Sequence, residues 1–348
     1  MNLREASLQL SEEDYRALPE LSYSALSEYD REGYPVLLED DEESTTSLTF
    51  GSMVDVLTTQ GEQAFKARYV VPNFVIPTGV MLEMADYLLN NASVPQLALV
   101  PDNEILAAAT AFDYYRNWKD ATRIEKIREG ASAYFNFMAA NVGLEVVSAE
   151  LMRDATLCAA AFQTSPLTAK YFISTENAFA ACETYYQLQF KSKYAGIPYK
   201  GMLDLVHIDH TNKVIYPCDI KTTKSIYTFE ESFYKYRYYI QAAMYTQLLQ
   251  DTIAEKCPEL KDYKIAHYRF LVIDREHKMP IVFSWWPDSQ VVTSLGIERR
   301  DWKTLLVAMT EDLSCIDSKL PKDWKDQLDT LGAVDLNRVN DEYKSKIN

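Results

Sequence analysis

The sequence predicts an α+β protein, a largely helical front half followed by a mixed sheet flanked by helices. Three observations carry this. From about 78 to 165 the chain is rich in Ala, Leu, Met and Glu at helical spacing. After about 176 it changes to short runs of Tyr, Ile, Val and Phe bounded by turn residues. Among those runs stands one stretch of helical length, 230–250.

In chain order, Leu21–Tyr29 reads as a short helix with Ser22 as its N-cap, since a serine hydroxyl can accept from a free N–H of the first turn. Glu39–Glu43 is a run of charge and reads as a solvated loop. Leu48, Met53, Val54 and Leu57 give 46–59 helical spacing. Arg68–Val71 is extended and stops at Pro72. The helical region is broken near Asn91, Pro101 and Gly143, and Ser165-Pro166 marks a turn. Strands are expected at 183–191, 200–208, 213–222, 264–274 and 280–286, and a further helix at 293–317. The tail from 318 is polar and expected to be loosely held. The organisation expected is thus a helical region 1–165 that contributes to the fold, a core 166–317 and a tail 318–348.

Composition removes several function classes. With 348 residues, 47% apolar and 25% charged, the chain has the balance of an ordinary globular protein. It contains no run of about 18 apolar residues, so no membrane span is expected. The opening MNLREASLQLSEED lacks a basic segment followed by an apolar one, so no secretion signal is read and a cytoplasmic location is expected. The five cysteines are odd in number, scattered and free of CxxC pairs, which argues against disulfides, zinc knuckles and iron–sulfur clusters. Phosphate-cradling GxxxxGK[ST] and GxGxxG loops are absent, as are GxSxG and HExxH.

The net charge of −16 argues by itself against a nucleic-acid partner, because phosphate backbones need cations. Its distribution matters more. Residues 1–50 hold 13 acidic and 3 basic side chains, whereas 189–240 hold 8 basic and 5 acidic ones.

That locally basic window also contains the chemistry. Lys200–Ile208 and Lys213–Thr222 are two extended runs flanking a short polar turn. Side chains alternate along a strand, so Asp219 and Lys221 share a face. If the turn centres on Thr211-Asn212, Asp204 stands opposite Asp219 with Cβ atoms about 5 Å apart. Two carboxylates so close repel unless a cation lies between them. The pattern asks for a hard divalent ion, Mg²⁺ or Mn²⁺, held by oxygen. Lys221 beside it can orient water and stabilise charge on a phosphate. The plainer reading is that D-x-K on a strand is common, and that aspartates near hairpin turns usually face solvent.

The run YKGMLDLV…VIYPCDIKTT followed by YRYYIQAAMY resembles the PD-(D/E)xK exonucleases of the RecB, RecE and lambda-exonuclease group. That group carries G-x-x-D on one strand, D/E-x-K on the next and Q-x-x-x-Y on a following helix. The matching residues are Gly201 with Asp204, Asp219 with Lys221, and Gln241 with Tyr245. Tyr238, Gln241 and Tyr245 fall on one helix face, where ordinary core packing is the alternative. Weaker similarity lies in Ser22-Tyr-Ser-Ala-Leu26, like an S-x-S-x-L opening, and in Thr49–Asp55, like a G-x-x-x-H helix. The resemblance spans residues 20–60 and 150–310.

It implies a restriction-endonuclease-like core and a DNA exonuclease using Mg²⁺ or Mn²⁺. Asp204, Asp219 and the main-chain carbonyl of Ile220 would hold the metal, with Lys221, Gln241 and Tyr245 in the catalytic set. Lys191, Lys193, Lys200, Lys224, Lys235 and Arg237 are candidate phosphate contacts, and Tyr238 and Ser24 further substrate contacts. Linear DNA ends are the implied substrate. Phage or prophage origin, a recombination or single-strand annealing partner and homo-oligomerisation complete what the resemblance suggests.

Two departures stand out. Asp55 occupies the place of the family's histidine, and Gln187 that of a glutamate on the preceding strand. Asp55 is expected to restore the carboxylate that Gln187 lacks, with Gln187 able to offer a carbonyl oxygen to the metal. Glu183 is a second candidate for the missing acid. His207-x-x-His210 is weighed as a zinc pair and set aside, because it spans a strand end and a turn. Rival readings are an inactive nuclease-fold module that binds DNA or aids assembly, and a nuclease acting on RNA or branched DNA.

Overall fold

The structure is a computed structural model that describes residues 1–38, 46–92, 94–172, 181–286 and 301–335. Two compact units share the chain. One is built from residues up to Thr59 and from Leu157 onward, the other from Gln60–Thr156.

The first unit opens with short capped helices. α1 (Leu3–Ala6) is closed by a capping box between Asn2 and Glu5, and α2 (Glu12–Arg16) is capped by Ser11. In α3 (Tyr23–Glu32) the Ser22 hydroxyl accepts from Ala25 N at 3.3 Å, the expected cap, and Gly33 ends the helix at φ +76°. α4 spans Thr46–Thr59, as its apolar spacing predicts. The charge run Glu39–Glu43 lies outside the described residues.

The second unit is mainly helical. α5 (Gly61–Lys66) leads to β1 (Tyr69–Val70), then come α6 (Val80–Asn91), α7 (Asp102–Ala111) and α8 (Asp120–Ala140). Its breaks fall where the sequence places them. α6 stops at Asn91, α7 starts behind Pro101, and Gly143 turns at φ +83°. Met84, Leu88, Ile105, Ile127 and Phe135 form its core. β1 pairs in parallel with β2 (Glu145–Val146), and α9 (Ala149–Thr164) continues the chain.

The sheet of the first unit holds β3 (Cys182–Tyr194), β4 (Ile197–Asp209), β5 (Val214–Thr223), β6 (Lys264–Ile265), β7 (Tyr268–Asp274) and β8 (Ile281–Trp285). Their order is β3-β4-β5-β7-β8, with the short β6 beside β5. β3 and β4 run past the expected ends at 191 and 200 to a two-residue turn, in which Ala195 and Gly196 have φ +49° and +85°. β5 and β7 are parallel, so a crossover must join them, and it contains α10 (Phe229–Lys235) and α11 (Tyr238–Lys256). The single helix expected at 230–250 is therefore two, because Arg237 at φ +58° breaks it.

α11 packs on β3 and β4, with Leu248 and Leu249 fully buried beside Leu188, Leu203 and Val206. Burial of each such side chain contributes about 2 kcal/mol. α12 (Trp302–Leu313) occupies part of the helix expected at 293–317, whose residues 293–300 lie outside the description. The tail departs from expectation. α13 forms over Lys322–Leu331, stops at Gly332 with φ +69°, and is tied by Lys322 N to Asp312 Oδ1 at 2.7 Å. No described helix is long and apolar enough to cross a membrane.

Candidate active site

The β4–β5 hairpin turns on Asp209, whose two carboxylate oxygens accept from Asn212 N at 2.9 Å and Asn212 Nδ2 at 2.7 Å. This fixes the register expected from the sequence, with Asp209 facing Val214 and Leu205 facing Cys218. Regular pairing stops there. Asp204 and Asp219 come next, where the two strands part. Asp204 Oδ2 accepts from Ile220 N at 2.9 Å, so the carboxylate takes over where the backbone ladder ends.

Asp219 is only 1% exposed. Its Oδ1 accepts from Gln241 Nε2 at 2.6 Å, and Lys221 Nζ stands 2.5 Å from Oδ2 as an ion pair. The same ammonium lies 4.7 Å from the centre of the Tyr238 ring. Gln241 reaches the site because α11 sits close to β4. A Cβ on Gly201 would come within 2.6 Å of both Leu248 and the Tyr245 ring. The glycine of G-x-x-D thus makes room for the tyrosine of Q-x-x-x-Y.

α4 supplies Asp55 from another side. Gln187 Nε2 donates to both oxygens of Asp55, at 3.1 and 2.9 Å, and lies 3.4 Å from Thr59 Oγ1. The β3–β4 ladder pairs Tyr186 with Leu205 and Leu188 with Leu203 but skips Gln187 and Asp204 between them. Gln187 takes φ +50°, a conformation costing a non-glycine residue about 1–3 kcal/mol. The register is the same on both sides of this gap, and the left-handed backbone lets the side chain reach Asp55.

The charges do not balance. Asp204 and Asp55 each keep some exposure, yet low-polarity surroundings and neighbouring carboxylates push both upward. Asp204 rises well above the usual carboxylate range, by burial first and then by Asp219 and Asp55. Asp55 is pushed up to about 7 by burial and then by Asp219. Burial works against the charge on Lys221, but Asp219, Tyr238 and Asp204 outweigh it and hold the ammonium well above its ordinary value. Three carboxylates thus face one lysine, and all the donors are hard oxygens. Gln241 Oε1 is buried with no hydrogen-bond partner among the described residues. These features fit a divalent cation. Among the described residues, however, no three His, Cys, Asp or Glu side chains converge closely enough to form a ready metal cage.

Several expectations need correction. Lys200 is buried and gives its ammonium to the carbonyls of Tyr15 at 2.9 Å, Arg16 at 3.0 Å and Leu18 at 2.7 Å, so no proton is left for a phosphate. Arg237 pairs with Asp30 at 2.5 Å and caps the Tyr234 carbonyl at 2.7 Å, which makes it a structural clasp. Gln187 turns its amide nitrogen, not its oxygen, to the site, because only a donor can meet a carboxylate. Glu183 lies four residues back along β3, roughly 13 Å away, where it accepts from Tyr185 and faces His210 at 3.5 Å. Lys191 is paired with Glu20 at 3.3 Å. Lys224 and Ser24 are exposed. His207 meets Thr184 and His210 meets Tyr263, so they do not act as a pair.

Two tyrosines escaped the sequence reading. Tyr23 donates to the Tyr236 carbonyl at 2.6 Å and meets Tyr245 edge-on at 6.3 Å. Tyr268 is fully buried beside Phe270, the neighbour of Asp219 on β7, and its hydroxyl has no partner among the described residues. Tyr23 sits inside the S-x-S-x-L run, but 24 tyrosines in the chain gave no reason to prefer it.

A family model described as a PDDEXK-like domain of unknown function (DUF3799) matches residues 32–260, which include Asp55, Gln187, Asp204, Asp219, Lys221 and Gln241. No curated protein matches the chain significantly. Among solved structures the chain is similar to one described as "Putative exonuclease" from Eubacterium rectale, at 13% identity, covering 90% of this chain and 88% of that one, with a TM-score of 0.46.

Proposed function

The chain belongs to the PDDEXK-like family, within the PD-(D/E)xK nuclease superfamily, and from that premise we propose that it is a metal-dependent DNA exonuclease. The observation that supports this most is the parting of β4 and β5 at Asp204 and Asp219, with Lys221 on the same face. Asp204, Asp219 and the Ile220 carbonyl would hold Mg²⁺ or Mn²⁺, with Asp55 supplying the carboxylate that a glutamate at 187 would otherwise bring. When bound, such a cation polarises a phosphoryl oxygen and acidifies water.

The chain's own residues do the rest. Lys221 keeps its positive charge beside the scissile phosphate and orients the attacking water. Gln241 fixes the rotamer of Asp219, and Gln187 fixes that of Asp55. Tyr238 and Tyr245 wall the site on the α11 side, and Lys224 and Ser24 remain open to a nucleic-acid strand. Action on linear ends, in recombination or DNA processing beside an annealing protein, rests on the family resemblance.

Glutamine at 187 favours a second reading, a nuclease fold that binds DNA without cutting it. Digestion of end-labelled linear duplex DNA with Mg²⁺ or Mn²⁺, by wild type and Lys221→Ala, separates the two. Release of label by wild type alone is expected, and the labelled end reports polarity. Binding of DNA in Ca²⁺ with no cleavage in Mg²⁺ or Mn²⁺ would favour the inactive module, and preference for RNA would move the substrate class.

A further inference from the structure

β5 and β7 run side by side past the site, with Asp219 beside Phe270, Lys221 beside Val272 and Thr223 beside Asp274. Neighbours in such a ladder share a face, so Asp274 lies on the Lys221 face, about 7 Å farther along the strands. Asp274 is fully buried yet accepts three kinds of N–H: Ile226 N at 3.0 Å, His277 N at 2.6 Å, and His277 Nδ1 at 2.9 and 3.0 Å from its two oxygens. One buried carboxylate therefore fixes two outer groups. The first is the short turn Ile226–Thr228, whose Tyr227 is 76% exposed. The second is the His277 ring, with 42% of its side chain exposed. They meet edge to face at 5.7 Å. Because Nδ1 faces Asp274, Nε2 is the nitrogen turned away from it. Exposed Lys224 follows at the end of β5, three residues beyond Lys221.

A carboxylate that only anchored the two main-chain N–H groups would explain the turns. It would not explain a third bond spent on orienting a half-exposed imidazole, nor a large exposed tyrosine set against that ring. We propose that His277, Lys224 and Tyr227 form a phosphate-backbone subsite, which grips the DNA strand about two nucleotides from the bond hydrolysed at Asp204 and Asp219, at roughly 3.4 Å of rise per nucleotide. In its protonated form, ion-paired with Asp274, His277 donates Nε2–H to a phosphate oxygen, Lys224 adds its charge, and the Tyr227 ring packs on the sugar or base. This rests on the phosphodiesterase reading above. Asp274 acts as a positioning residue.

Two substrates test it. Thymidine 5′-(p-nitrophenyl phosphate) has only the scissile group, whereas a linear oligonucleotide also reaches the subsite. The variant His277→Ala should raise KM for the oligonucleotide about tenfold, retain kcat, and flatten the salt dependence of binding by about one phosphate. Its turnover of the nitrophenyl ester should match wild type, and His277→Arg should restore most of the oligonucleotide affinity, outcomes that a merely structural role would not give. Unchanged KM on the oligonucleotide, or an equal loss on both substrates, would overturn the subsite while leaving the nuclease reading intact. Anisotropy of a labelled oligonucleotide in Ca²⁺ reads the same contrast without cleavage. A wild type that neither cuts nor binds DNA would overturn the subsite and the reading beneath it together.

Discussion

Two corners of the site are built alike and differ in charge. In each, a glutamine amide nitrogen meets an aspartate, Gln241 at Asp219 and Gln187 at Asp55. Gln241 comes from a regular helix, and its aspartate has Lys221 at 2.5 Å as counter-charge. Gln187 comes from a strand position with left-handed backbone, and the partner it offers the Asp55 carboxylate is neutral. The first corner is electrically complete within the chain. The second is left with a carboxyl pushed up to about 7, by burial and then by Asp219. The same amide–carboxylate contact thus serves a finished ion pair in one place and a carboxylate still short of positive charge in the other. A divalent cation held between the carboxylates would supply that missing charge.

The largest expected effect breaks the complete corner. Lys221→Ala should reduce phosphodiester hydrolysis by about a thousandfold or more, while Mn²⁺ affinity measured by calorimetry holds or rises, since a competing cation leaves Asp219. Weaker metal binding in this variant would contradict the division of labour. The incomplete corner should respond in the opposite sense. Gln187→Leu should weaken Mn²⁺ binding by about 10- to 100-fold, as loss of an outer partner of a ligand typically does, and Gln187→Glu should bind the metal at least as well as wild type. An unaffected Gln187→Leu would leave Asp55 with no role at the metal.

Gly201→Ala tests how the helix is seated. Its added methyl meets Leu248 and Tyr245 at 2.6 Å, so unfolding in urea should show a loss of about 2–3 kcal/mol, with activity falling as α11 and Gln241 shift. His207 is a control on the same strand. Burial holds its imidazole down to about 4, so it is neutral in the folded state. Its contribution should be full above about pH 6.5, the ordinary value, and be lost as the pH falls toward 4. His207→Phe should flatten this acid-side loss of stability, of order 2 kcal/mol, without changing metal affinity.

What the sequence disclosed was local. The Asp209–Asn212 turn and strict strand alternation set the β4–β5 register, and with it the places of Asp204, Asp219 and Lys221. Spacing along one helix likewise put Gln241 and Tyr245 on a common face. Long-range partners decided the rest. Lys200 looked like a phosphate contact until residues 15–18 brought three carbonyls to it. Arg237 was claimed by Asp30, more than 200 positions away in the chain. The left-handed backbone at Gln187 has no glycine to announce it, because a glutamine has no preference of its own for positive φ. The stretch Lys322–Leu331 is too hydrophilic for its sequence to announce a packed helix, and a distant carboxylate, Asp312, ties down its start.

A Mn²⁺ titration by calorimetry of wild type, Asp204→Ala and Asp55→Ala asks directly whether these carboxylates share one ion. Wild type should bind the ion and both variants should lose affinity to a similar degree, because Asp55 would supply the carboxylate that Gln187 does not. Wild-type affinity in Asp55→Ala, or no binding by any of the three proteins, would contradict it.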